Sequence, residues 1–283
     1  MIDTGGASSP QRVRSVAGLR AETNLWKTTG AKIGFVPTMG ALHAGHLDLV
    51  KRAKALTDKV VVSIFVNPLQ FAPSEDLDRY PRDEAGDVAK LEAAGCDLVY
   101  LPTVDALYPR GFVSRIEMSG PALGLETDFR PQFFSGVATV VMKLFNQVGA
   151  DVAVFGEKDF QQLAVVRAMA RDFDLNLDVV GAPTTRETDG LALSSRNAYL
   201  SPQERAVAPE LHRQLQLIAA SADPDAAIEA AKAALAKVGF GKIDYIALRD
   251  AETLGPVTET TSTKRLLAAL WLGKTRLIDN IPA

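Results

Sequence analysis

Cysteine is almost absent from the chain: Cys96 is the only one in 283 residues. A single thiol excludes an intramolecular disulfide and fits a reducing compartment. It lies in Ala-Ala-Gly-Cys-Asp-Leu-Val-Tyr-Leu, at the mouth of an apolar run, where a free cysteine behaves as a small hydrophobe. Charge of one sign is also missing, with 31 Lys and Arg against 34 Asp and Glu and a net charge of −3. No basic field argues for nucleic acid or an anionic membrane surface. No apolar stretch approaches the ~20 residues of a membrane-spanning helix. Met1 to Pro10 is Gly/Ser-rich, with neither the basic start nor the apolar run of a secretory signal. The segment is expected to be disordered, and the chain to be cytoplasmic, without a nucleic-acid or membrane partner.

What is present is ordinary for a globular protein, 47% hydrophobic and 23% charged, in a length suited to one or two domains. There is no internal repeat or low-complexity tract. Over the first two-thirds, short apolar runs alternate with helix-period segments, the sequence form of a parallel sheet wrapped by helices. Ile33 to Val36 is a strand closed by Pro37. The next segment places Leu49, Ala53 and Leu56 on one helical face. Val60 to Val66 fits a strand buried on both faces. A helix from about Glu84 to Ala94 leads to a strand at Leu98 to Leu101. Pro121 to Ser135 lacks either period and reads as a mobile loop. A helix after Gly136, a strand at Val152 to Phe155, a helix from about Asp159 to Arg171 and a strand at Leu175 to Val180 follow.

Beyond about Pro183 the pattern changes. Ser201-Pro202-Gln203-Glu204 is a capping box with proline at the first helical position, after which Val207, Leu211, Leu215 and Ile218 recur at helical spacing. An Ala-rich helix follows the turn at Ser221 to Asp225. Strands at 243–248, 265–272 and 276–278 close the chain. The expectation is an α/β, Rossmann-like parallel sheet with helices on both faces over 1–182, and a smaller C-terminal α+β lid domain over 183–283.

The densest chemical signal is Pro37-Thr38-Met39-Gly40-Ala41-Leu42-His43-Ala44-Gly45-His46, between the first predicted strand and helix. Two of the three histidines fall within its last four residues. A βα turn opens a crevice at the strand ends; its glycines admit close backbone approach, and the helix start offers N–H groups and a positive dipole end to phosphate. A half-buried loop histidine is the bland alternative. A His-x-x-His metal pair would need further ligands, and His212, on a predicted surface helix, is the only other histidine. Three more clusters follow predicted strands: Asn67-Pro68-Leu69-Gln70-Phe71, Gly156-Glu157-Lys158-Asp159 before Gln161-Gln162, and Asp189 to Asn197. Their amides, hydroxyls, lysine and arginine suit a small ligand, phosphate and magnesium. Singly, Asn-Pro is as readily a common turn and Lys158 a solvated surface charge, whereas a plain polar linker at Asp189 to Asn197 is disfavoured because Leu191 to Leu193 is apolar.

The His-x-Gly-His turn resembles that of the nucleotidylyltransferase-like superfamily. The full set of motifs, beginning at Pro37, Phe65, Glu75, Phe155 and Asp189, resembles the pantothenate synthetase (pantoate–β-alanine ligase) family in the family's order. That resemblance implies an ATP-dependent ligase condensing (R)-pantoate with β-alanine through a pantoyl-adenylate, with ATP as co-substrate, Mg2+ and a homodimer. It implies ATP contacts at Met39, Gly40, Ala41, Leu42, His43, Ala44, Gly45, His46, Gly156, Glu157, Lys158, Asp159, Thr185, Leu193, Ser194, Ser195 and Arg196. Gln70 and Gln162 would hold pantoate and Asn67 would support the site, with His46, His43 and Lys158 as the catalytic groups.

The chain departs from the family at Arg130-Pro131-Gln132-Phe133-Phe134, where Arg-Pro-Gly-His-Phe is usual, and at Ala72, where glycine is usual. The region before the helix at Glu84 is poorer in carboxylates than in some members of the family, which leaves Asp87 as a candidate metal contact; no metal ligand set is assigned. Two rivals fit the same residues: a nucleotidylyltransferase whose adduct is its final product, and a nucleotide-binding protein without turnover.

Overall fold

A computed structural model describes residues 9–72 and 77–283; the disorder expected of the first residues and the start of the Glu75 motif lie outside them. The first elements are β1 (Gln11–Val13), α1 (Val16–Thr28), β2 (Ile33–Thr38), α2 (Ala44–Lys54), β3 (Lys59–Ile64), α3 (Glu84–Ala93) and β4 (Leu98–Tyr100). There follow α4 (Val104–Leu107), α5 (Glu126–Phe129), α6 (Phe133–Val148), β5 (Val152–Gly156), α7 (Phe160–Asp172) and β6 (Asp178–Ala182). The last are α8 (Pro202–Val207), α9 (Glu210–Ala219), α10 (Pro224–Lys237), β7 (Phe240–Asp250), β8 (Lys264–Leu272) and β9 (Thr275–Pro282).

The chain divides into two compact units. One holds the chain up to Glu117 with Gln132–Gly156 and Met169–Ala182; the other holds Met118–Pro131, Glu157–Ala168 and Pro183–Ala283. The units are thus discontinuous in sequence, and 118–131 and 157–168 group with the C-terminal part.

The first unit is a parallel sheet of order β1-β4-β3-β2-β5-β6. Successive strand residues point to opposite faces, and the two faces pack differently. Val36, Val62 and Val154 join Val50 and Ala53 of α2 and Val88 and Leu91 of α3 in one apolar cluster. On the other face Phe145 of α6 meets Phe35 and Phe155 edge-on, at 6.3 and 6.2 Å between ring centres. The strand order reverses between β2 and β5, the switch point outside which ligands bind in open α/β sheets.

Several elements differ from the sequence expectation for local reasons. β2 continues through Pro37 to Thr38, because its recorded pairing with β5 is confined to Gly34 and Phe35 and does not ask for an N–H from the proline. β6 starts at Asp178, since Asp174 has a φ of +50° and Leu175 N–H still closes on Ala170 O at 2.9 Å. The helix opened by the Ser201–Glu204 box stops after Val207, and α9 begins beyond Pro209, which has no N–H to continue it. β1 and α1, the latter capped by Ser15 accepting from Gly18 N–H at 3.1 Å, precede the first expected strand.

The second unit is an antiparallel sheet, β7-β8-β9, between two apolar layers. Leu266, Ala268, Leu270 and Leu272 pack with Leu211, Leu215, Ala231 and Leu235 of α9 and α10. Ala247 and Leu267 pack with Leu125 and Leu254, with Phe160 and Ala164 of α7 against them. The expected loop at 121–135 is structured. Glu126, 6% exposed, accepts from Tyr245 Oη–H at 2.8 Å and from Arg276 Nη1–H at 2.9 Å. Burial pushes its carboxyl up, but Arg276, Tyr245 and Arg130 outweigh that and hold it below its usual range. Gln161, also buried, accepts from Glu126 N–H and donates to Pro121 O and Gly124 O, at 3.0 to 3.1 Å. The remainder, from Phe133, is the first turn of α6 in the other unit.

Candidate active site

In the first unit, the chain leaves β2 at Thr38 and turns through Met39–Leu42 into α2. Gly40 takes a φ of +83°, and a Cβ there would stand 3.1 Å from Asp87 Oδ2 and from Ile64. Ala41 adopts a φ of +50°, a conformation that costs a non-glycine residue energy and needs its surroundings to impose it. Asp87 of α3 does so: it is 1% exposed, and its two oxygens accept the N–H groups of Ala41 and Leu42, each at 2.8 Å. Lys90, one turn on, donates to Leu42 O at 2.9 Å and lies 3.5 Å from Asp87 Oδ1. Asp87, expected as a candidate metal contact, is the clamp of the turn, with both oxygens committed.

His43 caps α2, and His46 on its first turn accepts the His43 N–H through Nδ1 at 3.3 Å. The rings lie 4.1 Å apart between centres. A neutral imidazole that accepts at Nδ1 carries its proton on Nε2, so His46 Nε2–H is a donor. The N–H groups of residues 41 to 43 are therefore held inside the protein. The donors that suit a phosphate are the N–H groups of Ala44 and Gly45 at the start of α2 and the ring N–H of His46, whose backbone N–H closes on His43 O at 2.9 Å.

Asn67 and Gln70 follow β3. Asn67, 1% exposed, donates through Nδ2 to Gln70 Oε1 and Gly136 O, both at 3.1 Å. Its Oδ1 accepts from Leu69 N–H at 3.2 Å and Tyr108 Oη–H at 2.8 Å. Asn67 is thus a buried strut beneath the half-buried Gln70, whose Nε2 lies 2.8 Å from Met39 Sδ. Gly136 is inside α6, not before it. A Cβ there would sit 2.2 Å from Leu69 O, so glycine lets α6 press against this turn. In this unit the structure brings together Met39–His46, Asn67 and Gln70; Gly156 ends β5 in the neighbouring position of the sheet.

In the second unit, Glu157–Asp159 form a tight 3₁₀ turn into α7. Asn280 of β9 donates through Nδ2 to Glu157 O at 3.0 Å and Lys158 O at 2.8 Å. Lys158 and Gln162 are half-buried and Asp159 is exposed. Thr185 and Leu193 face each other across a hairpin, Leu193 N–H meeting Thr185 O at 3.0 Å, with Arg186 bridged to Ala192. Gly190 takes a φ of +94° at its tip. Ser194 caps the 3₁₀ turn Ser195–Tyr199 by accepting Arg196 N–H at 3.3 Å. Arg186 grips Asp279 through two bonds, at 2.7 and 2.8 Å. Asp279 is held below the usual carboxylate range; its burial acts the other way and is overcome by His212 and Arg186. His212 is accordingly not on a free surface: its side chain is 16% exposed, with Nδ1 3.5 Å from Asp279 Oδ2.

Cys96 is 2% exposed, with burial pushing its thiol up to about 12, and it is core. Sequence reasoning missed the clamping role of Asp87, the Tyr108 contact and the Asp279-Asn280 pair. The pair escaped because the expected strand at 276–278 stops short of it, whereas β9 runs from Thr275 to Pro282 and carries both residues.

A doubly wound parallel sheet with a His-x-Gly-His turn at the end of a central strand, on the edge of the switch point, defines a nucleotide-binding α/β enzyme of the adenylyl-transferring type. The pantoate–β-alanine ligase family model matches residues 11–282, and the chain belongs to that family. Pantothenate synthetase of Mesorhizobium japonicum is 54% identical over 278 residues, covering 97% of this chain and 98% of the relative. That of Caulobacter vibrioides is 52% identical over 283 residues, covering 97% and 99%. Among solved structures, pantothenate synthetase from Thermus thermophilus matches with a TM-score of 0.88 at 48% identity, over 96% of this chain and 98% of that one. Pantoate–β-alanine ligase from Francisella tularensis, complexed with β,γ-ATP and β-alanine, matches with a TM-score of 0.83 at 33% identity, over 96% and 97%.

Proposed function

We infer that the chain condenses (R)-pantoate with β-alanine at the expense of ATP, giving pantothenate, AMP and pyrophosphate through a pantoyl-adenylate, a step of pantothenate biosynthesis. The observation that carries the reading is the β2–α2 turn, strained at Ala41, locked by Asp87 and ending in the paired rings of His43 and His46.

A carboxylate oxygen of pantoate attacks the α-phosphorus in line. The bond from that phosphorus to the α–β bridging oxygen breaks, and pyrophosphate leaves with the electron pair. The amine nitrogen of β-alanine then attacks the acyl carbon; the C–N bond forms, the C–O bond to phosphate breaks, AMP leaves and the ammonium proton passes to solvent. Neither step needs a covalent bond to the protein, so positioning and neutralisation of phosphate charge supply the rate.

His46 donates from Nε2 to phosphate oxygens, with His43 beside it and Met39–Gly45 as the backbone of the ATP site. Lys158 and Arg196 neutralise negative charge that develops on the phosphates. Gly156, Glu157, Asp159, Thr185, Leu193, Ser194 and Ser195 complete the nucleotide contacts. Gln70, seated on Asn67, and Gln162 orient pantoate. A water-poor site protects the mixed anhydride, and the lid role of 183–283 belongs to this proposal. Magnesium enters with the ATP phosphates, its usual mode; among the described residues no group of three or more His, Cys, Asp or Glu is placed to hold a metal. No described helix is long and apolar enough to cross a membrane. The cytoplasmic location and homodimer are further parts of the proposal, to be tested by fractionation and light scattering.

The experiment is an omission assay with ATP, pantoate, β-alanine and magnesium, reading AMP, pyrophosphate and amide. Amide with stoichiometric AMP is expected. A stable adenylylated product, or binding without turnover, would contradict the reading.

A further inference from the structure

Asp279 and Asn280 are consecutive in β9, 4% and 3% exposed, and no motif singled out in the sequence contains them. Consecutive strand residues point to opposite faces. Asp279 stands opposite Ala268, which packs toward α9 and α10, and Asn280 opposite Leu267, which packs toward Phe160 and Ala164. One strand position therefore sends a polar side chain into each of the two layers.

Each side chain ends on a different nucleotide-binding segment. On one face, Asp279 holds Arg186 at 2.7 and 2.8 Å, and Arg186 Nη1–H also closes the hairpin on Gly190 O at 3.1 Å. Arg186 adjoins Thr185, which pairs with Leu193 at the root of Ser194–Arg196. On the other face, Asn280 Nδ2 gives its donors to the carbonyls of Glu157 and Lys158. Its Oδ1 accepts from Arg265 Nε–H at 2.6 Å. Arg265 stacks on Phe160, 4.2 Å from the ring centre, and its guanidinium lies 3.4 Å from Glu157 Oε2. The side chain of Asn280 thus fixes the turn that carries Lys158 from both its amide and its carbonyl end.

Stability alone is a poor account of such a pair, since buried ionic and polar groups gain little over well-packed apolar ones. Geometry is a better one. Small displacements of a charged group at a phosphoryl-transfer site cost about 10²-fold in rate. We propose that Asp279 and Asn280 are positioning residues for adenylation, one strand pair that sets the Lys158 turn and the Thr185–Arg196 hairpin in register for the nucleotide. The inference rests on the proposed role of Lys158.

The test is pantoate-dependent exchange of labelled pyrophosphate into ATP, with melting temperature measured alongside. Asn280→Asp removes both donors with little change of shape; Asn280→Ser serves if that variant does not fold. The control is Asp244→Asn, which breaks an ion pair of the same sheet, Asp244 with Arg276 at 2.7 Å; the bonds of these two run to each other, Lys242 and Glu126 and not to either segment. The expected result is a kcat for exchange lowered about 10- to 100-fold in either Asn280 variant, with a smaller change in the KM for ATP, as for a misplaced group. Asp244→Asn should lose melting temperature and keep its exchange rate. The Asn280→Asp, Lys158→Ala double variant should be no slower than Lys158→Ala, because one residue acts through the other. Slow exchange in Lys158→Ala with normal exchange in the Asn280 variants overturns the inference alone, and so does an equal loss in Asp244→Asn. Normal exchange in Lys158→Ala overturns the reading of Lys158 beneath it.

Discussion

His46 Nδ1 accepts the backbone N–H of His43 at 3.3 Å. This bond joins that of His46 N–H to His43 O in closing the first turn of α2 and leaves the remaining ring proton on Nε2, where the proposed donor role needs it. His46→Ala should lower the single-turnover adenylation rate about 10²-fold, the scale for a positioned donor. The fold should survive, since a lost helix cap costs about 1 kcal/mol. Near-normal adenylation in the folded variant would remove His46 from the mechanism.

Asp87 should combine two effects that are usually separate. Asp87→Asn keeps one acceptor but turns an amide N–H toward a backbone donor, leaving a buried N–H unsatisfied at about 1–3 kcal/mol. Ala41 then loses part of what imposes its positive φ. The melting temperature should fall by several degrees and adenylation by about tenfold or more. If magnesium affinity alone changed, Asp87 would be the metal contact that the sequence suggested.

Gln132 and Phe133 stand where the family pattern has Gly-His, and Phe133 is the first residue of α6, three before the Gly136 that meets Leu69. Because that end of α6 braces the Asn67–Gln70 turn, Gln132→Gly with Phe133→His should alter turnover or the KM for pantoate more than stability. Flat kinetics with a shifted melting temperature would make the segment packing only.

Glu126 gives an acid-sensitivity prediction for the second unit. Its carboxyl is held below its usual 4.5, so the unfolded chain binds a proton at higher pH than the folded one. The stabilisation it contributes is complete above that value and is lost as pH falls through the folded pKa. The melting temperature should drop on acidification below about pH 4.5. Glu126→Gln should be less stable near neutrality, by about 3–5 kcal/mol for a broken buried pair, and should show a shallower acid slope. An unchanged slope would assign acid sensitivity to other carboxylates, such as Asp279 and Asp244.

Most of the sheet was legible because buried parallel strands are short apolar runs and the helices between them keep their period. The β2–α2 turn was legible because glycine and histidine are dense there. What escaped depended on contacts distant in sequence. Asp87 lies 46 residues from Ala41 in the chain, and nothing in its neighbourhood marks it as a turn clamp. The 121–135 segment has no period because its order comes from Gln161, Tyr245 and Arg276, not from a repeating apolar face. Gly136 read as a helix boundary, whereas its missing side chain serves close packing inside the helix.

The most direct measurement is isotope exchange between labelled pyrophosphate and ATP with pantoate and magnesium present and β-alanine absent. If the acyl group is activated first, its amine acceptor has no part in cleaving ATP, and exchange should proceed with pantoate alone. β-Alanine without pantoate should support none. Lys158→Ala should suppress the exchange strongly, because phosphate charge in a low-dielectric site is costly to leave unpaired. Exchange that required β-alanine would contradict the adenylate order of events and the roles assigned to the residues that serve it.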